Sequence, residues 1–233
     1  MKETQRIRNV YAKRDAVGKR RWYSLFNPAA LFADHRREVE IIQMLSYAGV
    51  RDLSNVHILD LGCGNGAILR NFIRYGAQPQ NCFGVDLLES RITEARHISP
   101  NMDFRCGNAE SLSYSDGQFD MLLCFTVFTS ILDGAMKQNI TGEMLRVLKP
   151  GGIIIWYDYH LNNPKNTDVR GVKKKEIFKL FSGCDIKLRR TTLAPPITRA
   201  LAPHSWTVCF FLEKMKIMNT HYIGIVKKPH SSV

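Results

Sequence analysis

The sequence predicts an α/β fold: a mostly parallel sheet with helices on both faces. Three observations lead there. Short apolar runs rich in Val, Ile, Leu and Phe alternate with helical stretches of about ten residues, a pattern that requires crossover connections. The first apolar run ends in a glycine-rich turn, DLGCGNGAI at 60–68. The 233 residues suffice for one such domain with a substantial core.

Asn27-Pro28 opens the first predicted helix, asparagine as its N-cap and proline at its first position. Residues 28–48 space Leu31, Phe32, Val39, Ile42 and Leu45 at helical intervals, and Gly49 ends the helix. VHILDLG (56–62) is a short buried strand, and AILRNFIRYG (67–76) is the helix that follows it. NCFGVDL (81–87) is the second strand, with ESRITEARHI (89–98) as its helix. Residues 101–106 and 119–125 form the third and fourth strands, and 138–148 the helix after them. Residues 153–156 begin the fifth strand, and VKKKEIFKLF (172–181) is a basic helix. Residues 186–193 and 221–227 are the last two strands, separated by an insertion at 196–216 that is Pro-rich and then helical. Ligands of such sheets bind outside the carboxyl ends of the strands.

The net charge of +12 is unevenly spread. Residues 1–40 hold 10 Lys/Arg against 5 Asp/Glu, residues 41–164 hold 9 against 12, and residues 165–233 hold 14 against 4. Basic flanks of this kind suit an anionic substrate, a nucleic acid or an acidic membrane surface. No window approaches the roughly 18 apolar residues of a membrane span, and MKETQRIRNVYAKRDAVGKRRW lacks the apolar stretch of a secretory signal. The six cysteines (63, 82, 106, 124, 184, 209) contain no C-x-x-C pair, which argues against zinc or a disulfide framework. No metal is expected, and the expected compartment is the cytoplasm.

The glycine turn lets a ligand lie against bare backbone. By spacing, Gly62-Cys63-Gly64-Asn65-Gly66-Ala67 also satisfies the dinucleotide pattern G-x-G-x-x-G/A. Asp60, two residues before the first glycine, would repel a pyrophosphate and attract an amino-acid ammonium. Asp86, 24 residues after Gly62, suits ribose hydroxyls. GNAESLSYSDGQFD (107–120) and LRVLKPGG (145–152) follow in order.

With these motifs the stretch 56–157 resembles the class I S-adenosylmethionine-dependent methyltransferases, particularly the small-molecule branch. DLGCGNG resembles the family's glycine motif, VDLLESRI its ribose motif and GNAE its adenine motif. FDMLLC and LKPGG are similar to its fourth strand and the turn before its fifth. The resemblance implies a Rossmann-like seven-stranded sheet whose last strand inserts antiparallel between the fifth and sixth. It implies S-adenosylmethionine as cofactor. Asp60, Gly62, Cys63, Gly64, Asn65 and Gly66 would meet its methionine part, Asp86 and Leu87 its ribose, Asn108, Ala109 and Glu110 its adenine, and Phe125 the methionine side. Residues 1–50 would form an N-terminal cap and first helix, 56–157 the cofactor-binding core, and 158–233 the acceptor-side loops and last strand of a single domain.

The fifth strand ends in an unusual cluster, IIIWYDYHLNNP at 153–164. An acid, an imidazole and two amides behind a buried strand suggest acceptor binding, with Asp158 or His160 as catalytic base, since a hydroxyl acceptor must lose a proton. Further acceptor-binding candidates are Trp22, Tyr23, Thr126, Thr129, Tyr157, Asn162, Asn163, Arg199 and His204. The expected function is O-methylation of a small or medium polar metabolite, such as a sugar unit of a glycan or natural product, with an anionic acceptor compatible with the charge. A nucleic-acid methyltransferase is the alternative that the basic flanks raise. Against it, the segment after the fourth strand is FTVFTS, which lacks both the Asn/Asp-Pro-Pro-aromatic motif of amino-methylating DNA and RNA enzymes and a Pro-Cys pair for attack on cytosine. A non-catalytic cofactor-binding protein is a further alternative.

Overall fold

The computed structural model describes residues 2–16, 24–164 and 166–230. Seven strands run in chain order as β1 (Ile58–Leu61), β2 (Cys82–Asp86), β3 (Asp103–Cys106), β4 (Phe119–Phe125), β5 (Leu148–Tyr159), β6 (Asp185–Leu193) and β7 (Asn219–Lys227). They form one sheet in the order β3-β2-β1-β4-β5-β7-β6. Strands β1 to β5 are mutually parallel, while β7 runs antiparallel to both its neighbours, β5 and β6. This is the expected inserted last strand.

The helices are α1 (Glu3–Ala16), α2 (Pro28–Tyr47), α3 (Ala67–Arg74), α4 (Glu89–Ile98), α5 (Gly134–Val147), α6 (Lys174–Leu180), α7 (Pro195–Leu201) and α8 (Trp206–Lys214). Every residue of β1 is buried, as a central parallel strand covered on both faces should be. Alternation along the strands divides the core in two. Leu59, Leu61, Leu122, Cys124, Ile154 and Trp156 pack with α5 and α6 on one face. Ile58, Met121, Leu123, Ile155 and Tyr157 pack with α2, α3 and α4 on the other.

Several elements depart from the sequence expectation for local reasons. No helix was expected over Glu3–Ala16. It is pinned to the loop after β4 by polar contacts: Arg6 donates to the Ser130 carbonyl at 2.6 Å, and Glu3 accepts from the Leu132 amide at 2.6 Å. Asn27 caps α2 as predicted, accepting from the Ala29 amide at 3.0 Å. The buried face of α2 is the predicted one only in part: Phe32 and Leu45 are buried as expected. Leu31 and Ile42 are exposed, whereas Ile41, Met44, Arg36 and Glu40 face inward. This face brings Arg36 to Glu213 of α8 at 2.5 Å, a pairing that apolar periodicity cannot reveal. Helix α5 starts four residues early because Asp133 caps it, accepting from the Ala135 amide at 2.7 Å and the Met136 amide at 3.1 Å. Strand β5 starts at Leu148, with an irregularity that takes Leu148 opposite Phe119 and Ile153 opposite Met121.

Candidate cofactor and acceptor site

At the carboxyl ends of β1 and β4 lies a cavity of about 190 Å³, lined by Arg37, Asp60, Gly62, Cys63, Ile68, Phe125, Thr126 and Tyr157. A larger depression of about 370 Å³ between α2 and β6, bordered by Gln43, Tyr47, Lys187 and Arg189, is remote from the strand ends where such sheets bind ligands. In the smaller cavity Asp60 is 1% exposed, and its Oδ2 has no hydrogen-bond partner among the described residues. Burial, with the charge of Asp86 added, pushes its carboxyl well above the usual carboxylate range. An unpaired buried carboxyl costs stability, so the site fits a ligand that brings a cation to Asp60.

The glycine loop is held in shape from β2. Gly62 and Cys63 both donate amide hydrogens to the Val85 carbonyl, at 2.8 and 3.1 Å. Asp86 accepts from the Gly64 amide through Oδ2 and from the Leu88 amide through Oδ1, each at 2.9 Å. Asp86 therefore ties the glycine loop to the β2 end, and each oxygen keeps a lone pair for a ligand hydroxyl. Gly62 has φ +68°, and a Cβ there would lie 2.9 Å from Val127. Gly66 has φ +80°, and a Cβ there would lie 2.7 Å from the Phe104 ring. Both positions need glycine. Asn65 donates to Glu94 at 3.2 Å. Burial raises the Cys63 thiol pKa, which leaves it a neutral spacer.

Further along, Asn108 accepts from the Glu110 amide at 3.1 Å and donates to the Glu110 carboxylate at 3.0 Å. Asn139 donates to the other Glu110 oxygen at 3.0 Å. The pair closes a side-chain turn beside Ala109, which packs on the core with Leu87.

The opposite wall is aromatic and strained. Phe125 stacks on Tyr157 with centroids 5.6 Å apart, and His221 stacks on Tyr157 at 4.6 Å. Tyr157 exchanges a hydrogen bond of 2.8 Å with the Thr192 hydroxyl. Thr126 and Thr192 have φ of +57° and +65°, a left-handed conformation uncommon outside glycine and concentrated at functional sites. The Arg37 guanidinium lies 5.9 Å from the Tyr157 ring centre, pairs with Asp34, and has a buried Nε without a partner among the described residues. Burial, then Arg37 and then His160, press the His221 pKa down to about 3, so its imidazole is neutral. The sequence reading missed Arg37 and His221. The signals available were an arginine on the inward side of a helix and a histidine in the apolar alternation of HYIGIV.

The two candidate bases are not brought to this cavity. Asp158 and His160 project on the sheet face opposite Tyr157, because side chains alternate along β5. Asp158 is fully buried and accepts from the Thr129 amide at 3.0 Å, the Thr129 hydroxyl and the Tyr159 amide at 2.8 Å. Burial pushes its pKa up to about 6 against these hydrogen bonds. His160 places Nε2 2.9 Å from the Asn219 carbonyl and stacks on Tyr222, and burial lowers its pKa. Of the acceptor candidates, Thr126 and Tyr157 line the cavity, and Thr129 is bound to Asp158. Asn162 accepts from the Gly171 amide at 2.9 Å in an exposed loop that also carries Asn163. Arg199 on α7 and His204 in the turn after it are exposed. Trp22 and Tyr23 lie outside the described residues.

Residues 58–152 match the family model described as a methyltransferase domain. A phthiotriol/phenolphthiotriol dimycocerosates methyltransferase of Mycobacterium ulcerans is 29% identical over 120 residues, covering 48% of this chain and 41% of the relative. A 24-methylenesterol C-methyltransferase of rice (Oryza sativa subsp. japonica) is 25% identical over 162 residues, covering 64% and 43%. The chain thus spans less than half the length of these curated relatives. Among solved structures, an S-adenosylmethionine-dependent methyltransferase of Methanosarcina mazei matches with TM-score 0.57 and 20% identity, covering 75% of this chain and 92% of that one. At that identity the likeness speaks for the fold.

Proposed function

Because the chain belongs to the class I S-adenosylmethionine-dependent methyltransferases, we propose that it transfers a methyl group to an oxygen of a small or medium acceptor that is anionic or readily ionised. The observation that carries the donor side is the buried, unpartnered Asp60 Oδ2 beside the glycine loop. When bound, S-adenosylmethionine supplies a methyl group already activated on a sulfonium. Asp60 would hold its ammonium, the Gly62–Gly66 backbone would leave it room, and Asp86 would take its ribose hydroxyls. The Asn108–Glu110 turn would flank its adenine.

The acceptor side supports the charge preference. Among the described residues lining the cavity, Arg37 is the one cationic group and Asp60 the one carboxyl. No residue of ordinary basicity near neutrality lines it, since Asp158 and His160 lie on the other sheet face. A neutral sugar hydroxyl, which needs a base within about 3 Å, fits this lining less well than a carboxylate or phenolate. Arg37 would orient the anion, and the Phe125–Tyr157 wall would exclude water and fix the approach. Alignment of this kind is worth up to about 7–11 kcal/mol in favourable intramolecular cases. The acceptors in the relatives' names, a dimycocerosate and a sterol, are consistent with a non-polymeric substrate.

The test supplies methyl-labelled S-adenosylmethionine and the protein with host-cell metabolites and lipids after nuclease treatment, and separately with purified RNA and DNA. Label entering the nuclease-treated fraction, in a product that gains one methyl on an acidic group, supports the reading. Label entering RNA or DNA alone would replace it with the nucleic-acid alternative.

A further inference from the structure

Helix α8 exposes much of its apolar surface. Its inward arc holds Cys209 and Glu213, the latter 2% exposed and paired with Arg36. Its outward arc and the four residues after it carry Val208, Phe211, Met215, Ile217 and Met218, with Phe211 63%, Met215 60% and Ile217 72% exposed, while Trp206 packs edge-on against Phe32 of α2. Within residues 208–218 five apolar side chains thus reach solvent, and an exposed apolar patch ordinarily marks a docking surface.

The charge around the ridge decides what fits it. The charges on and beside the ridge are basic: Lys214 on α8, Lys216 after it, and Arg190, whose carbonyl accepts from Lys216 at 2.9 Å. Arg190 and Lys214 are exposed, as is Arg199 on the neighbouring α7. Lys214 lies over the Phe210 ring at 5.1 Å, which sets a cation at the edge of the apolar ridge. A second copy of this chain would meet the same positive rim across a two-fold axis and be repelled. An anionic lipid surface offers both complements, negative headgroups for the rim and an acyl boundary for the aromatic and aliphatic side chains.

We propose that this α8 ridge docks the protein on anionic membrane surfaces, lying in the interface rather than crossing it. Among the described residues no helix is long and apolar enough to cross a membrane. The inward face of α8, behind the ridge, meets the candidate site through two contacts. Glu213 accepts from the Thr192 amide at 3.1 Å, and the Thr192 hydroxyl meets the Tyr157 hydroxyl at 2.8 Å.

The experiment floats the full chain with vesicles of phosphatidylcholine alone, or of three parts phosphatidylcholine to one part phosphatidylserine. The account expects binding to the mixed vesicles only, weakened by high salt. It expects at least about a tenfold loss in the double variant Phe211→Glu/Ile217→Glu, since both apolar anchors then carry charge. Lys214→Gln, at an exposed position, should lose about fivefold, the effect of one cation at an anionic surface. Circular dichroism and light scattering on each variant check the fold and the mass. Equal binding to both vesicle types, no binding to either, or a wild-type dimer that Phe211→Glu/Ile217→Glu converts to monomer without any vesicle binding would overturn the proposal.

Discussion

Tyr157 and Asp158 are neighbours in the chain, yet they project to opposite faces of β5. The tyrosine lines the cavity against Phe125 and His221. The aspartate is buried beneath the other face with its oxygens occupied by Thr129 and the Tyr159 amide. The polar cluster at the end of β5 is therefore two structures: one half belongs to the cavity wall, and the other holds the loop after β4 in place.

Asp158 is expected to act as a positioning residue. Asparagine cannot accept from every donor around it, so Asp158→Asn should destabilise the fold by about 1–3 kcal/mol at pH 7. The pH signature is specific. The folded pKa is raised to about 6, above the unfolded value of about 3.9. The ionisation contribution is therefore complete below about pH 4 and lost as pH rises to about 6. The stability gap between wild type and variant, followed by denaturant titration across that window, should narrow with rising pH. A gap that stays flat would contradict the assignment.

His221 gives the opposite slope. Its folded pKa, about 3, lies below the unfolded value near 6.5. Its contribution is complete above about pH 6.5 and is lost as pH falls towards 3. His221→Gln should remove this part of the acid sensitivity. Chemical denaturation of the two proteins between pH 7 and 4 measures the difference, and identical pH profiles would refute the prediction.

Much of the frame can be read in the sequence because it is local. VHILDLG, the glycine turn and ESRITEARHI announce strand, loop and helix through apolar runs, glycines and spacing alone. The polar part of α2's buried face cannot be read this way, since the partner of Arg36 there is Glu213, 177 residues away. The placement of Asp158 escapes the sequence for a related reason. A strand-end carboxylate reads as exposed to ligand until alternation and its partners show which face it occupies. Arg37 and His221 were missed because a long-range packing of α2 and β7 against β5 brings them beside Tyr157.

Gly62→Ala should cost about 1–2 kcal/mol from its left-handed backbone alone. The added methyl would also meet Val127 at 2.9 Å. Thermal melts with and without S-adenosylmethionine separate the two consequences: a lower melting temperature without ligand, and a smaller ligand-induced rise. An alanine variant with wild-type melting behaviour would contradict the loop geometry.

Arg37→Gln is expected to raise the acceptor KM about ten- to a hundredfold, the range for losing a charged hydrogen bond, with S-adenosylmethionine affinity nearly unchanged. Arg37→Lys should recover part of the loss, because charge returns without the planar fork. Steady-state kinetics on the product-forming fraction provide the comparison. An unchanged KM in Arg37→Gln would remove the anionic-acceptor reading.

The central claim is that the orphaned carboxyl of Asp60 is the anchor of the methyl donor. Calorimetric titration of the full chain with S-adenosylmethionine, beside Asp60→Asn, tests it most directly. The account predicts one binding site, at least about tenfold weaker in the variant because a charge-assisted contact is lost. It also predicts an unliganded variant at least as stable as wild type, since a partnerless buried carboxyl has been neutralised. Wild-type protein that gives no binding heat, or a variant that binds as tightly as wild type, would contradict it.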